Sequence, residues 1–335
     1  MAKECKGLPL ALIVVGSAMA GVNSVKAWEC TKNNLTSSSW TTPNLEMKVF
    51  SILKLSYDQF QMMVTESVSW EGFLCANKTK SIGDIRADGK SVIGKLKFCC
   101  LLESVEDDIV MRRSVKMHDI IRGMALWLAC AQDKKMKKVL VQGDAVAMSR
   151  DDDVDQWKIV EMISIMGAGE EWSVPSECPN LITFLVRGCK INGLQNIKYM
   201  SQLKCLELNV WEIDDPIGIS DLVLLEYLSL TLYGPKVPKE LKNLKNLKLL
   251  TLSMTGASIA SIPLEVISSL QQLRVLKVFC FDGVEGDGKE EGEFLKEVES
   301  LPKIEELNVD ICTNNGLSKL VGSTKLQGCL SVLRL

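Results

Sequence analysis

The chain has 335 residues, 47% of them hydrophobic and 24% charged, which is enough apolar material for sizeable cores and two or three domains. Its formal charge of -3, with 39 Lys and Arg scattered among 42 acids, forms no basic stripe and sets nucleic acid aside as a partner. One histidine and twelve cysteines without a C-x-x-C pair leave no zinc spacing, and no nucleophile-base constellation points to an enzyme.

Lys3 and Lys6 precede an apolar run from Leu8 to Val15, and Ala18-Met19-Ala20 has the small-residue form of a signal cleavage site. Glu4 and Pro9 interrupt that pattern, and the run is too short to span a membrane. Gly7-Leu8-Pro9-Leu10-Ala11-Leu12 instead reads as a helix start, because proline lacks an amide donor and fits the first turn, where that donor has no partner. The Ser- and Thr-rich stretch Thr36 to Thr42 before Pro43 reads as a linker, closing a first region at residues 1–44.

Helical periodicity dominates residues 45–150. Val49, Ile52, Leu53 and Leu55 suit one helix face, Val92, Ile93, Leu96 and Phe98 a second, and Ile120, Ile121, Met124 and Leu128 a third. Cys100 to Ser104 and Ser114 to Met117 are candidate short strands. Asp119 is placed to cap the third helix, which puts His118 beside a helix start where amides and the dipole favour an anion. Taken alone, a solitary histidine is more often a structural residue. The acidic run Asp151 to Asp153 with Asp155 marks the next boundary, and Lys158 to Met166 alternates as an opening strand would.

From residue 151 to residue 335 one pattern returns. Aligned on L-x-x-L-x-L, its first positions are Leu181, Leu203, Leu225, Leu247, Leu273, Ile304 and Leu330, and the first three steps are 22 residues each. A period in the low twenties is the mark of a leucine-rich-repeat solenoid, in which each unit supplies one short strand. Alternation sends Leu206 and Leu208 inward and Cys205, Glu207 and Asn209 outward. The equivalent outward residues include Arg187, Tyr227, Thr231, Lys277, Phe279, Glu306, Asn308 and Asp310, and together they would form the concave, protein-binding face, or simply a solvated one. Val237-Pro238 and Ile262-Pro263 mark the connections on the other side. The later steps lengthen to 26, 31 and 26 residues, Asp282 to Gly292 reads as a mobile loop, and the chain stops inside a repeat strand.

Three motifs ahead of this array add a resemblance. Gly7-Leu8-Pro9-Leu10-Ala11, Lys54-Leu55-Ser56-Tyr57-Asp58 and Lys116-Met117-His118-Asp119 resemble, in order, the GLPLA motif, the segment opening the winged-helix subdomain and the MHD motif of plant intracellular immune receptors of the nucleotide-binding, leucine-rich-repeat class with a coiled-coil amino terminus. The resemblance implies an α/β multi-domain protein. Residues 1–44 would be a helical remnant of the nucleotide-binding module, residues 45–150 a shortened winged-helix-like domain, and residues 151–335 the repeats.

It also implies an ADP/ATP switch, with Pro9 near the adenine and His118 on the ADP β-phosphate. The sequence departs from the family in having no G-x-x-x-x-G-K-[ST] phosphate loop, and only Asp58 to Ser69 separate Tyr57 from Trp70. The chain thus reads as truncated, beginning at the GLPLA-like motif, with nucleotide binding weak or absent. The expected function is that of a cytoplasmic, non-enzymatic defence-receptor fragment with reduced thiols. Its partners would be proteins: a pathogen effector, a guarded host protein or other receptor domains. A generic or secreted leucine-rich-repeat adaptor without nucleotide regulation is the alternative.

Overall fold

A computed structural model of the chain describes parts of residues 12–32, then 81–98, 101–106, 113–117, residue 121, 139–142, 157–166, 171–175, 177–188, 190–209, 216–233, 237–281 and 289–334. The chain divides into two compact units, Met1–Gln132 and Asp133–Leu335.

In the first unit, helix α1 (Ile82–Phe98) starts at a reciprocal cap. The Asp84 amide donates to Ser81 Oγ at 3.1 Å, and the Asp84 carboxylate accepts from the Ser81 hydroxyl at 2.8 Å. Val92, Ile93 and Leu96 are half-buried on it, whereas Phe98, expected on the same stripe, is 67% exposed at the helix end. Strands β1 (Glu103–Glu106) and β2 (Arg113–Lys116) pair antiparallel where the sequence predicts two short strands. Glu103 lies opposite Lys116 and Glu106 opposite Arg113 in this register. Of the helix expected after Asp119, Ile121 is described; it is helical and buried.

The second unit is built on a parallel sheet, with nine strands among the described residues. In chain order these are β3 (Val139–Gln142), β4 (Met162–Met166), β6 (Thr183–Arg187), β8 (Cys205–Asn209), β9 (Tyr227–Tyr233), β10 (Leu249–Thr255), β11 (Val275–Phe281), β12 (Glu306–Asp310) and β13 (Leu330–Arg334). Two short strands, β5 (Glu171–Ser173) and β7 (Lys190–Asn192), form a separate parallel pair. The sheet therefore begins upstream of residue 151, where the acidic run suggests a boundary. Val139–Gln142 pairs with β4, and the acids lie in the connection between the two strands.

Strands β6, β8, β9, β10, β11 and β12 each begin two residues after a ladder position, and their inward pairs Phe184 and Val186, Leu206 and Leu208, Leu228 and Leu230, Leu250 and Leu252, Leu276 and Val278, and Leu307 and Val309 make one continuous core. Burying each such side chain contributes roughly 1.5–3 kcal/mol, which no isolated repeat could collect. Short 3₁₀ turns, among them Leu194–Tyr199 and Lys239–Asn243, close the other side of the early repeats. Pro238 caps the second of these with φ −65°, the angle its ring imposes.

The last repeats are helical instead: α2 (Lys289–Ser300), α3 (Asn314–Gly322) and α4 (Thr324–Cys329). Residues 289–292 thus belong to a helix, where the Gly- and acid-rich composition of Asp282 to Gly292 suggests a loop; residues 282–288 lie outside the described residues. The cause is Glu291. Its buried carboxylate accepts from the Cys312 amide at 2.9 Å, the Thr313 amide at 3.1 Å and the Thr313 hydroxyl, closing the start of α3.

The last strand also departs from the ladder. Leu330 lies opposite Leu307 and Val332 opposite Asn308, with a bulge between them, and beyond it Arg334 lies opposite Asp310, where the ladder spacing would put it opposite Asn308. The displacement is two residues, so Leu333 still faces the core.

Close packing at Glu291 yields a test. A Cβ on Gly316 would stand 2.3 Å from Glu291 Oε2, whereas one on Gly322 would meet nothing within 4 Å. Gly316→Ala is expected to destabilise the terminal repeats by about 1–3 kcal/mol and Gly322→Ala to be neutral or slightly stabilising. Hydrogen exchange across residues 289–334 reads this; equal protection in both variants would contradict the packing described.

Candidate functional interface

Because the inner alternation is fixed by the core, the outward side chains of the sheet fall into rows across neighbouring strands, about 4.8 Å apart. One row runs Met162, Thr183, Cys205, Tyr227, Leu249, Val275 and Glu306. Cys205, Leu249 and Val275 are buried in it, although they belong to the outward face and not to the solenoid core. The next row runs Ser164, Leu185, Glu207, Ser229, Thr251, Lys277 and Asn308. Beyond these lie Arg187 opposite Asn209 and Thr231 opposite Ser253 and Phe279, with Tyr233, Thr255 and Phe281 last.

The residues expected to meet a partner take up distinct positions on this face. Arg187 reaches across to Glu207 with both arms of its guanidinium, Nε to Oε1 at 2.7 Å and Nη2 to Oε2 at 2.9 Å. Such a planar fork is the strongest form of ion pair. Glu207 is buried beneath it, so Arg187 is the exposed member of the pair. Lys277 stands 3.9 Å from Glu306, which is also buried and accepts from Asn308 Nδ2 at 3.3 Å. Glu207 and Glu306 therefore support cations on the face instead of lying open. Asn209 is exposed at the end of β8, and Tyr227 and Thr231 are half-buried between the two charged pairs. Phe279 lies under the guanidinium of Arg334, whose Cζ is 4.9 Å from its ring centre.

Arg334, Phe281 and Tyr233 belong to this face and are not among the residues the sequence singles out. The ladder spacing puts Arg334 beside Asn308, and only the shifted pairing of β13 brings it to Asp310 and Phe279. Phe281 and Tyr233 sit beyond the L-x-x-L-x-L window, in the longer strands β9 and β11. The alternating, outward-facing aromatic at the end of each of these strands is the signal that could have found them. Pro9 and His118, the residues the resemblance assigns to a nucleotide, lie outside the described residues, as do Lys54 to Asp58.

Elsewhere, a cavity of about 140 Å³ lies between the Ile259–Ile267 segment and α2, floored by Ile262, Ile267 and Phe294 and rimmed by Glu290, Glu293 and Glu297. Glu297 spends its carboxylate on the Glu265 and Ser268 amides, at 2.6 and 2.9 Å, and this holds Glu265 at a positive φ of 69°. Among the described residues no group of His, Cys, Asp and Glu is arranged to hold a metal, and no helix is long and apolar enough to cross a membrane.

No protein-family model matches the chain. A disease resistance protein of Arabidopsis thaliana is 33% identical over 262 residues, covering 69% of this chain and 28% of that protein. Another from the same plant is 30% identical over 368 residues, covering 98% of this chain and 39% of its own length. The chain thus spans between about a quarter and two fifths of the length of these relatives. Among solved structures, internalin C2 of Listeria monocytogenes shares 16% identity at a TM-score of 0.38, covering 54% of this chain and 83% of that one.

The cysteines near this face differ in chemistry. Of the five described, Cys178, Cys205 and Cys329 are buried, Cys280 is half-buried and Cys312 is exposed. Burial pushes the Cys178 thiol up to about 12; burial, then the nearby Asp310 carboxylate, does the same to Cys280, and burial raises Cys329. A raised thiol value means little thiolate at neutral pH, so alkylation of the folded protein at pH 8 should label Cys312 first among these five, as read by mass spectrometry. Faster labelling of Cys178 or Cys280 would contradict this burial.

Proposed function

Because the chain belongs to the family of plant disease resistance proteins, we propose that its leucine-rich repeats recognise or restrain a protein partner in defence, without catalysis. The observation that carries this reading is the in-register outward face. Arg187, Asn209, Tyr227, Thr231, Lys277 and Phe279 are presented side by side on rigid parallel strands, with hydroxyls, cations and aromatic rings mixed as in protein-recognition surfaces. The partner is a pathogen effector, a host protein under guard or another domain of the receptor, and the setting is the cytoplasm.

Residues 1–150 are assigned by their motifs to the end of a nucleotide-binding module and a winged-helix-like domain, with Pro9 and His118 in the roles that the family gives them. Affinity for ADP or ATP in such sites comes chiefly from backbone amides and a lysine around the phosphates, and this sequence has no phosphate loop to supply them. This chain by itself therefore binds ADP weakly or not at all, and the switch is incomplete within it.

Two measurements check this reading. Thr231→Arg with Ser253→Arg puts two large cations on half-buried positions of the face, and Lys242→Glu alters an exposed residue on the opposite side. Proteins recovered from leaf extract by the wild-type chain should be lost from the double variant and kept by the control. Equal recovery by all three sinks the proposed interface. Calorimetric titration of the chain with ADP should show no binding in the micromolar range or tighter, and a micromolar dissociation constant would reverse the statement about nucleotide.

A further inference from the structure

The carboxyl-terminal corner of the outward face holds two buried acceptors that lack hydrogen bonds. Leu307 and Val309 point into the core, so Asn308 and Asp310 share the opposite face of β12. Both are more than nine-tenths buried. Asp310 Oδ2 accepts from the Cys280 amide at 2.8 Å, but Oδ1 has no hydrogen-bond partner, and neither does Asn308 Oδ1. An unmet buried acceptor is costly, and a carboxylate oxygen more so than an amide oxygen. Two aromatic rings flank the site. The guanidinium of Arg334 lies 4.9 Å from the centre of Phe279 and 5.8 Å from that of Phe281, and its Nε stops 3.9 Å from Asp310 Oδ1.

We propose that Phe279, Phe281, Asn308 and Asp310 form a guanidinium-recognition site on this face, held by the chain's own Arg334 and yielded to an arginine side chain of a protein partner. The inference rests on the reading that the face binds protein. The geometry of the incumbent supports exchange. Arg334 is tethered to the strand opposite Asp310, and its guanidinium lies over both rings without closing a hydrogen bond onto the carboxylate. An arginine free to choose its own approach keeps the aromatic platform and adds the charge-assisted bond that Arg334 lacks. Asn308 Oδ1 remains for a second donor of the partner, such as a backbone amide. The ligand is arginine and not lysine because a flat, weakly hydrated cation stacks on two rings and donates sideways at once, whereas a compact ammonium does not. Nearly half of the Arg334 side chain and of Phe281 is exposed, so the incumbent can swing into water and the platform can be entered.

The test uses the full chain and the peptide N-acetyl-Gly-Arg-Gly-amide, with its lysine counterpart as control, in titrations followed by nuclear magnetic resonance. Removing the incumbent with R334Q should tighten arginine-peptide binding by about tenfold, since the pocket no longer has an internal competitor. Adding D310N, whose amide oxygen can still accept the Cys280 amide, should cost at least that factor, and adding F281L several-fold. The lysine peptide should bind R334Q several-fold more weakly than the arginine peptide. Equal affinity of wild type and R334Q, or unchanged affinity on adding both D310N and F281L, overturns the site. Thermal unfolding monitors the fold of each variant, and F281L, which leaves the carboxylate in place, decides the matter if D310N unfolds. Should the peptide fail while Thr231→Arg with Ser253→Arg still abolishes partner recovery, the guanidinium site falls and the protein-binding face stands. If both fail, the face itself is wrong.

Discussion

Each repeat presents a strand whose inner side chains can be buried only against the strands on either side, and the rest of this unit follows from that dependence. The ladder hydrogen bonds are closed before each strand begins. The Lys204 and Cys205 amides both reach the Ile182 carbonyl, at 2.9 and 3.1 Å, and the Glu226 and Tyr227 amides reach that of Lys204 at 2.8 and 3.0 Å. The same doubled contact recurs at Lys248 with Leu249, Arg274 with Val275 and Glu305 with Glu306. A slip by one residue would break these pairs and turn every leucine outward, so register is held at both the polar and the apolar level. The rows of the outward face are a by-product of that register.

Charge follows the same geometry. The position just before each strand carries Lys204, Glu226, Lys248, Arg274 and Glu305 in successive repeats, and Lys248 meets Glu226 while Arg274 meets Glu305 at 2.5 Å. These side chains are mostly shielded, which gives such pairs more weight than open surface pairs have. In the last repeats, three acids of α2 do related work on backbone and side-chain donors. Glu291 closes the start of α3, Glu297 holds the turn at Glu265 and Ser268, and Glu299 accepts from Lys319 and from Ser323, each at 2.6 Å. The bonds from Lys319, then Ser323, hold the Glu299 carboxyl below its ordinary value. An acid-rich insertion is thus drawn into a helix because its carboxylates find donors in neighbouring repeats.

The six full repeats from Thr183 to Asp310 were legible because a leucine at fixed spacing and strict alternation are both local signals. What the sequence hides is whatever depends on contacts between repeats. Glu291 reads as part of a solvated loop until the amides of Cys312 and Thr313 are brought to it. Glu207 and Glu306 read as exposed acids because alternation tells which face a residue is on, and not that a neighbour's cation will cover it. Arg334 is placed two residues away by the ladder because the last strand pairs with β12 in a shifted, bulged register that no proline or glycine within the strand announces. On the candidate interface, face membership was therefore visible and pairing was not.

The distribution of unmet polar groups separates structure from recognition on this scaffold. Trp172 Nε1 has no hydrogen-bond partner either, but its ring is enclosed in the core, 5.5 Å from Phe184, where no ligand can reach it. Its cost is offset by the burial of a large aromatic surface. Asn308 and Asp310 have no such compensation, since they lie on the face turned away from the core. Elsewhere on the same face another buried carboxylate, Glu207, is fully closed by the two-armed Arg187. One face thus carries both a two-armed ion pair, between strands in regular register, and a looser one of 3.9 Å beside a bulge. The bulge leaves polar capacity unspent at the carboxyl-terminal corner, and unspent capacity on an outward surface is what a partner can use.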